Sequence, residues 1–328
     1  MATTARGRSS LLYFREQSAF GTAETMGQTA KFVQMPFYTF SPQATRDLNV
    51  SELMDGGGAL PGDLITGLEA ANFTADIPIG SSSLGYWLKT MFGDPTSVDN
   101  TTHQQHSFRA KAAPTAYFAT IQQYHPDISK GFRLKDAAMT EFRVDSRKGS
   151  QRARMSISGI STDQTNNNTE ADTAPITFAA DTVPVSFRGR VQKDGVDLSA
   201  AVVGINFTCR SGVTLDQELM NGVATAGDYL PGIWEVEGDI TLRLQDETWW
   251  ALADDETLVS LKATFWNSTD DRVTFTMDDC LLQKAGPAIT TMGPITSAFH
   301  FRAGKPSSSS LYPMEVQLKN QLASYPRA

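Results

Sequence analysis

The sequence predicts a mainly β chain with short helices, arranged as two tandem copies of one β-sandwich or half-barrel domain. Three observations predict it. Runs of alternating apolar and polar residues recur along the chain, the period of half-buried strands. Helical spacing is confined to two short stretches. And the chain nearly repeats itself: Glu52-Leu53-Met54-Asp55 returns as Glu218-Leu219-Met220-Asn221, and Gly62-Asp63 as Gly227-Asp228. Asp76-Ile77 returns as Asp239-Ile240, and Tyr86-Trp87 as Trp249-Trp250, at offsets of 166, 165, 163 and 163 overall. A period near half the chain is too long for a solenoid, whose repeats run at roughly 20–50 residues. The 328 residues suit two domains of roughly 100–200 residues each.

In the first copy, Leu11–Phe14 reads as a strand, and Phe20-Gly21-Thr22 as a break. Residues 32–41 are aromatic and partly alternating, which reads as strand. From Pro42 to Gly67 turn formers dominate, with Gly56-Gly57-Gly58 and Pro61-Gly62-Asp63. A loop of about 25 residues is uncommon in a compact domain and usually carries function or partner contacts. Leu68–Ile79 alternates again. Ser81-Ser82-Ser83 offers helix N-caps, and Leu84, Trp87, Leu88 and Met91 follow at i, i+3, i+4 and i+7. Gly93-Asp94-Pro95 ends that helix. Residues 95–107 read as polar loop. Tyr117–Tyr124, Gly131–Ala138, Met139–Asp145 and Ala153–Ile160 read as strands. Residues 161–175 carry no apolar pattern and read as a polar linker.

The second copy restates the plan. Val185–Val191 and Val196–Cys209 are strands, and 211–232 is a second long Gly/Pro loop. Ile233–Leu244 alternates, with a phase change near Gly238. Asp246 caps a short helix with Trp249, Trp250 and Leu252. Leu258–Trp266, Arg272–Met277 and Ala298–Arg302 are strands. Residues 303–328, with Ser307–Ser310 and two prolines, build no core alone. They are either disordered or an arm laid on a neighbour.

Composition excludes several classes. Hydrophobic residues at 40% and charged residues at 20% describe a chain able to build a core. No run approaches the roughly 18 apolar residues of a membrane helix, and the N-terminus shows no secretory leader. A net charge of −8 argues against a reader of nucleic acid through basic contacts. Residues 1–165 carry 16 Lys+Arg and 15 Asp+Glu, and residues 166–328 carry 12 and 21. The acidity therefore sits in the second half, either for solubility or as a surface that must not hold DNA. Cys209 and Cys280 read as buried free thiols.

No catalytic constellation is present. His103-Gln104-Gln105-His106 has a metal-like spacing but sits in a polar stretch without a third ligand. His125 and His300 have no Ser, Cys or Asp partner in a known motif. The acidic pairs at Asp254-Asp255, Asp270-Asp271 and Asp278-Asp279 lack EF-hand spacing and read as solvated turns. Gly56-Gly57-Gly58 lacks the Lys-Ser/Thr of a phosphate loop. No metal and no cofactor are expected.

Several segments resemble the tail tube proteins of tailed phages. They are Gly7-Arg8-Ser9-Ser10 with Phe20-Gly21-Thr22-Ala23, Thr45–Met54 followed by Gly56-Gly57-Gly58, and Ser83-Leu84-Gly85-Tyr86-Trp87-Leu88-Lys89. In that family a segment like Ser-Leu-Gly-Trp-Trp-Leu-Lys is typical. Thr291–Phe301 resembles the family's last strand, and the tail from Gly304 departs from the pattern. The resemblance implies a major tail tube protein of a long-tailed, siphovirus-like phage or prophage. Such proteins stack as rings around a DNA conduit, and each domain adds strands to a continuous inner β-barrel completed on ring assembly.

The implied division is 1–165 and 181–302 as tail-tube-like domains, 166–180 as linker and 303–328 as a C-terminal arm. The loops 43–67 and 211–232 become ring-stacking elements, through Glu52, Met54, Asp55, Gly58 and Asp63 and through Glu218, Met220, Asn221 and Asp228. Helices 81–92 and 246–253 become outer braces, anchored by Trp87, Leu88, Trp249 and Trp250. Two tube domains per chain imply a trimer with pseudo-sixfold symmetry, or a hexamer if one copy alone lines the lumen. Implied partners are further copies of the chain, a tape measure protein in the lumen, tail terminator and baseplate proteins, and double-stranded DNA in passage, with no membrane. The place is the virion tail, after synthesis in the host cytoplasm. Part of the second half's acidity is expected to face the lumen and repel phosphates. The rival readings are a terminator, baseplate ring or capsid decoration protein, a carbohydrate-binding adhesin, and, last, an enzyme.

Overall fold

A computed structural model describes residues 7–24, 31–50, 64–111, 117–147, 152–178, 183–185, 188–198, 201–218, 222–244, 247–284, 286, 295–305, 307–308 and 311–325. The first half contributes β1 (Leu11–Glu16), β2 (Val33–Gln34), β3 (Thr39–Val50), β4 (Leu64–Pro78), α1 (Leu84–Phe92), β5 (Thr96–Asn100) and β6 (His103–Arg109). It continues with β7 (Ala119–His125), β8 (Lys130–Arg147), β9 (Arg154–Ser161) and β10 (Asp163–Asn168). β11 (Ile176–Thr177), β12 (Gly189–Lys193), β13 (Val196–Asp197), β14 (Val202–Arg210), β15 (Thr214–Asp216), β16 (Asp228–Leu230) and β17 (Glu235–Arg243) follow. The chain ends with α2 (Thr248–Asp254), β18 (Val259–Trp266), β19 (Arg272–Leu282), β20 (Thr296–Ala303) and β21 (Glu315–Asn320).

The spine of the molecule is an antiparallel run in the order β3, β4, β9, β8, β14, β17, β20, β19. The N-terminal half of β8 bends away to pair with β7 and β10, and β1 pairs with β7. β18 and β12 extend the far side of β19. The described strands do not close into a barrel. The two halves follow one pairing order, β3-β4-β9-β8 and β14-β17-β20-β19. They meet at β8 and β14, where Arg147 to Glu141 pair with Gly204 to Arg210.

α1 is wedged between layers. Trp87 lies 5.4 Å from Phe14 of β1 and 5.9 Å from Phe73 of β4, ring centre to ring centre. Trp87 and Leu88 are buried, as anchors should be. All nine residues of α1 are buried, however, so the expected solvent-facing side of an amphipathic helix does not exist in the folded chain. The reason is the C-terminus: Tyr325 packs edge-on against Tyr86 at 5.2 Å, and its carbonyl accepts from Lys89 Nζ at 3.2 Å. The serine cap is not made either, since Ser83 is helical and caps through no side-chain hydrogen bond. In the second half, Trp249 and Trp250 both pack on Phe299, at 6.0 and 5.2 Å. Asp246 lies outside the described residues.

Several sequence expectations are corrected. The C-terminal arm is neither loose nor laid on a neighbour. β21 inserts between β19 and β6 of its own chain, with Met314, Val316 and Leu318 fully buried. Met314–Asn320 alternates apolar and polar residues, a strand signal outweighed in the reading by the serines and prolines before it. The stretch 42–67 is not one loop: residues 39–50 and 64–78 pair as a long ribbon. Pro42 is tolerated because β3 is an edge strand that pairs with β4 alone among the described residues, so a missing N–H disrupts no second ladder. The polar stretch 161–175 contains β10, which pairs with β8, and β11, just after it, pairs with β2. The polar loop 95–107 is the β5–β6 hairpin. The two strands read at 131–145 are one, β8, with a register shift between Met139 and Glu141. β17 has no phase change: Val236, Gly238, Ile240 and Leu242 form one buried row. Asp278 is buried rather than solvated and accepts from Ser260 Oγ at 2.7 Å.

A polar sheet face and two projecting ribbons

The spine strands bury one row of side chains and expose the other. On the exposed face, Thr39, Asp76, Ser156, Arg143, Thr208, Glu237 and Arg302 stand side by side across seven strands. Gln43, Asn72, Thr74 and Ser158 continue the pattern over the first strands, so this face is mostly hydrophilic, with Ile160 beside Asn72 and Ala298 beside Thr241 as exceptions. Its buried counterpart holds Phe40, Phe73, Ile157, Phe142, Phe207, Ile240 and Phe299.

The exposed face carries charges of both signs. The acids are Asp76, Glu141, Asp145, Glu235, Glu237 and Asp239; the bases are Arg143, Arg147, Arg154, Arg210, Arg243 and Arg302. The cross-strand register brings opposite charges together. Arg210 donates to Glu141 at 3.0 Å and to Glu237 at 2.8 Å, and those hydrogen bonds hold its guanidinium above the ordinary arginine value. Arg302 donates to Glu235 at 3.1 Å, and His300 Nδ1 lies 3.1 Å from Asp239. The acids of β17 are therefore matched on this face, Glu237 by Arg210, Glu235 by Arg302 and Asp239 by His300.

Two ribbons leave the sheet. The first is the outer part of β3 and β4, with Leu48 at 71%, Leu64 at 75% and Ile65 at 51% exposure. Arg46 and Glu69 pair across it. Glu52, Met54, Asp55, Gly58 and Asp63 lie outside the described residues, in the connection between its strands. The second ribbon is β15–β16, which lies down on the first half. Tyr229 stacks on Phe118 at 4.9 Å, meets Phe20 at 5.7 Å, and donates to the Asp136 carbonyl. Burial of this phenol pushes its pKa well up, so it stays a donor. Ala224 accepts from the Glu69 N–H at 2.9 Å. Glu218 and Asp228 are exposed on this ribbon; Met220 and Asn221 lie outside the described residues. Sequence reasoning missed that this second ribbon docks within its own chain, although the aromatic Tyr229 in a turn-rich stretch was a signal.

Asp136 anchors that docking. It adopts a left-handed φ of 53° and accepts from Gly21 N at 2.7 Å and Gln17 Nε2 at 3.0 Å. In the second half, Asp279 has a φ of 51° and accepts from Ser307 N at 2.5 Å.

His125 Nδ1 lies 2.8 Å from Ser10 Oγ and His300 lies beside Asp239, partners distant in sequence that no local motif announced. His106 is fully buried; its Nε2 donates to the Leu322 carbonyl at 2.9 Å, so Nδ1 accepts from Ser97 Oγ at 2.7 Å. His103, on the other face of β6, sits 3.0 Å from Asp270. Cys209 and Cys280 are buried free thiols whose pKa burial raises. Among the described residues no helix is long and apolar enough to cross a membrane.

Among known proteins, a family model described as phage tail tube protein matches residues 7–303. No curated protein matches the chain.

Proposed function

We infer, from the premise that this chain belongs to the phage tail tube protein family, how it builds the tube. It is a structural protein of the virion tail. The proposed reading is that it carries two tube domains in tandem and assembles into rings that stack around a DNA conduit. One observation carries this: the β8–β14 junction, where the last strand of one four-strand order pairs with the first strand of the next. If the halves are equivalent, the same junction between protomers joins β3 of one to the β19–β20 hairpin of the next. Such a head-to-tail contact closes into a ring when the rotation allows. Closure also removes the open β3 edge, which would otherwise invite uncontrolled pairing. Three chains with two domains each then make a ring of pseudo-sixfold symmetry.

In such a ring the polar sheet face lines the lumen. Arg210 and Arg302 are held by carboxylates and Arg147 lies 3.9 Å from Asp145, so phosphates meet fewer uncommitted cations, and counterion release, the main source of non-specific DNA affinity, is reduced. The surface resists sticking by balanced charge rather than by net repulsion. The connections of the two ribbons, with Gly58 in one and Met220 and Asn221 in the other, are the proposed contacts to the next ring. A tape measure protein would fill the lumen, and terminator and baseplate proteins would meet the ends, in a long-tailed particle.

Negative-stain electron microscopy of the purified chain at rising concentration tests this. Hollow tubes or stacked rings with three subunits per ring are expected. Six chains per ring would replace the trimer by a hexamer, and particles that never form rings would refute the reading.

A further inference from the structure

A groove of about 760 Å³ opens in the second half, between Ile233 and Trp234, Arg302 to Lys305, and the segment around Tyr312. Ile233 is 84% exposed there. The equivalent place in the first half is occupied. The β15–β16 ribbon fills it, with Tyr229 against the Asp136 and Ile160 carbonyls and Ala224 on Glu69. The correspondence rests on three matches. Glu69 and Gly232 stand one repeat offset of 163 apart. Ile160 and Ala303 are the last residues of β9 and β20 to pair with β8 and β19, at Ala138 and Cys280, within two residues of Asp136 and Asp279. Asp136 and Asp279 share the left-handed backbone, and each accepts a backbone N–H from a terminal segment of the chain.

The first ribbon is the counterpart of the second: Gly62-Asp63-Leu64 answers Gly227-Asp228-Tyr229. Tyr229 is 7% exposed, and Leu64 is 75% exposed. Leu48, Val50 and Ile65 are exposed beside it. A two-stranded ribbon with such apolar residues in water is a contact surface awaiting a cover. Charge fits as well. Residues 51–63 hold Glu52, Asp55 and Asp63 with no lysine or arginine, whereas the groove is rimmed by Lys111, Arg302 and Lys305.

We propose that the β3–β4 ribbon of one protomer docks into this groove on a second copy in the same ring, with Leu64 against Ala303. This rests on the ring reading and deepens it: the ribbon is a lateral clasp at its base, and only its turn is left for the next ring. The second ribbon makes the same clasp within the chain, so each ring alternates internal and external clasps.

The test is crosslinking in the full chain with Leu64→Cys and Ala303→Cys together, using a short bismaleimide on assembled material. Cys209 and Cys280 are buried with raised thiol pKa values and stay silent; each single variant serves as control. The expected result is a covalent ladder that stops at the number of subunits in a ring and needs both cysteines. Lys305→Glu with Arg302→Glu should cut its yield at least tenfold in low salt. Rings or tubes that yield only single-chain bands, a link within isolated monomers, or a ladder running past one ring would each overturn the clasp while leaving the ring reading intact. Chains that form neither rings nor tubes would overturn both.

Discussion

Leu318→Ala tests where the C-terminal arm belongs. Leu318 is fully buried and pairs with Val273 on one side and His106 on the other. Truncating a buried leucine removes its transfer free energy and leaves a cavity, at about 3 kcal/mol within a range of roughly 2–5. β21 is held on both edges, so little collapse can refill the space. At about 1.4 kcal/mol per decade, the folded-to-unfolded ratio falls more than a hundredfold. With a urea dependence of about 3 kcal/mol per molar for a chain of this size, the midpoint drops by about 1 M. The assay is equilibrium urea unfolding followed by tryptophan fluorescence, at a dilution where sedimentation shows monomers. Gln317→Ala, on the other face of β21, should shift stability by no more than about 0.5 kcal/mol. The Leu318 effect must be present in monomers and unchanged at tenfold higher concentration. A loss below about 0.5 kcal/mol in monomers, growing as chains associate, would show that the strand serves a neighbour and refute the assignment.

Gly238→Ala should cost about 1–3 kcal/mol by the same assay, because a Cβ there would stand 2.2 Å from the Asn206 carbonyl oxygen and 2.8 Å from the Phe301 ring; an unchanged midpoint would disprove the close approach. Lys89→Met should cost about 3–5 kcal/mol, since Lys89 lies 2.7 Å from the carboxylate of buried Glu16 and its loss removes that buried ion pair. Recovery in Lys89→Met with Glu16→Gln would confirm the cause. Burial lowers the pKa of His106, so its neutral form supports folding fully above about pH 6.5, the ordinary histidine value. That support is lost as pH falls through the lower folded value. Hydrogen exchange of residues 315–325 should therefore quicken on acidification, and His106→Gln should abolish that dependence. Glu141→Gln with Glu237→Gln removes both charges beside Arg210, and should give the assembled chain a salt-sensitive retention of double-stranded DNA that the parent lacks; retention equal to the parent's would separate the sheet face from the conduit.

Much of the local structure was legible. Period-two alternation marked β4, β9, β18 and β20, and the spacing of Leu84, Trp87, Leu88 and Met91 marked α1, because those signals are written in consecutive residues. The near repeat of Glu52–Trp87 in Glu218–Trp250 pointed to the shared strand order before any pairing was known. The misreadings came from segments whose conformation depends on distant partners. Residues 43–50 look like loop because their ribbon stands out from the core, so no burial imposes alternation on it. β21 alternates plainly, yet a lone seven-residue run after a serine-rich stretch has value only once β19 and β6 flank it.

What the sequence determined by itself is which residues seek burial and where the helices fall. Tertiary structure decided the rest: that β8 passes from one layer into another and joins β14, that the charges of Arg210 and its neighbours cancel on one face, and that one ribbon lies down while the other stands free. The physical reason is that alternation assigns a strand two faces but names no neighbour. Partners, register and charge pairing are settled by non-local closure of the core.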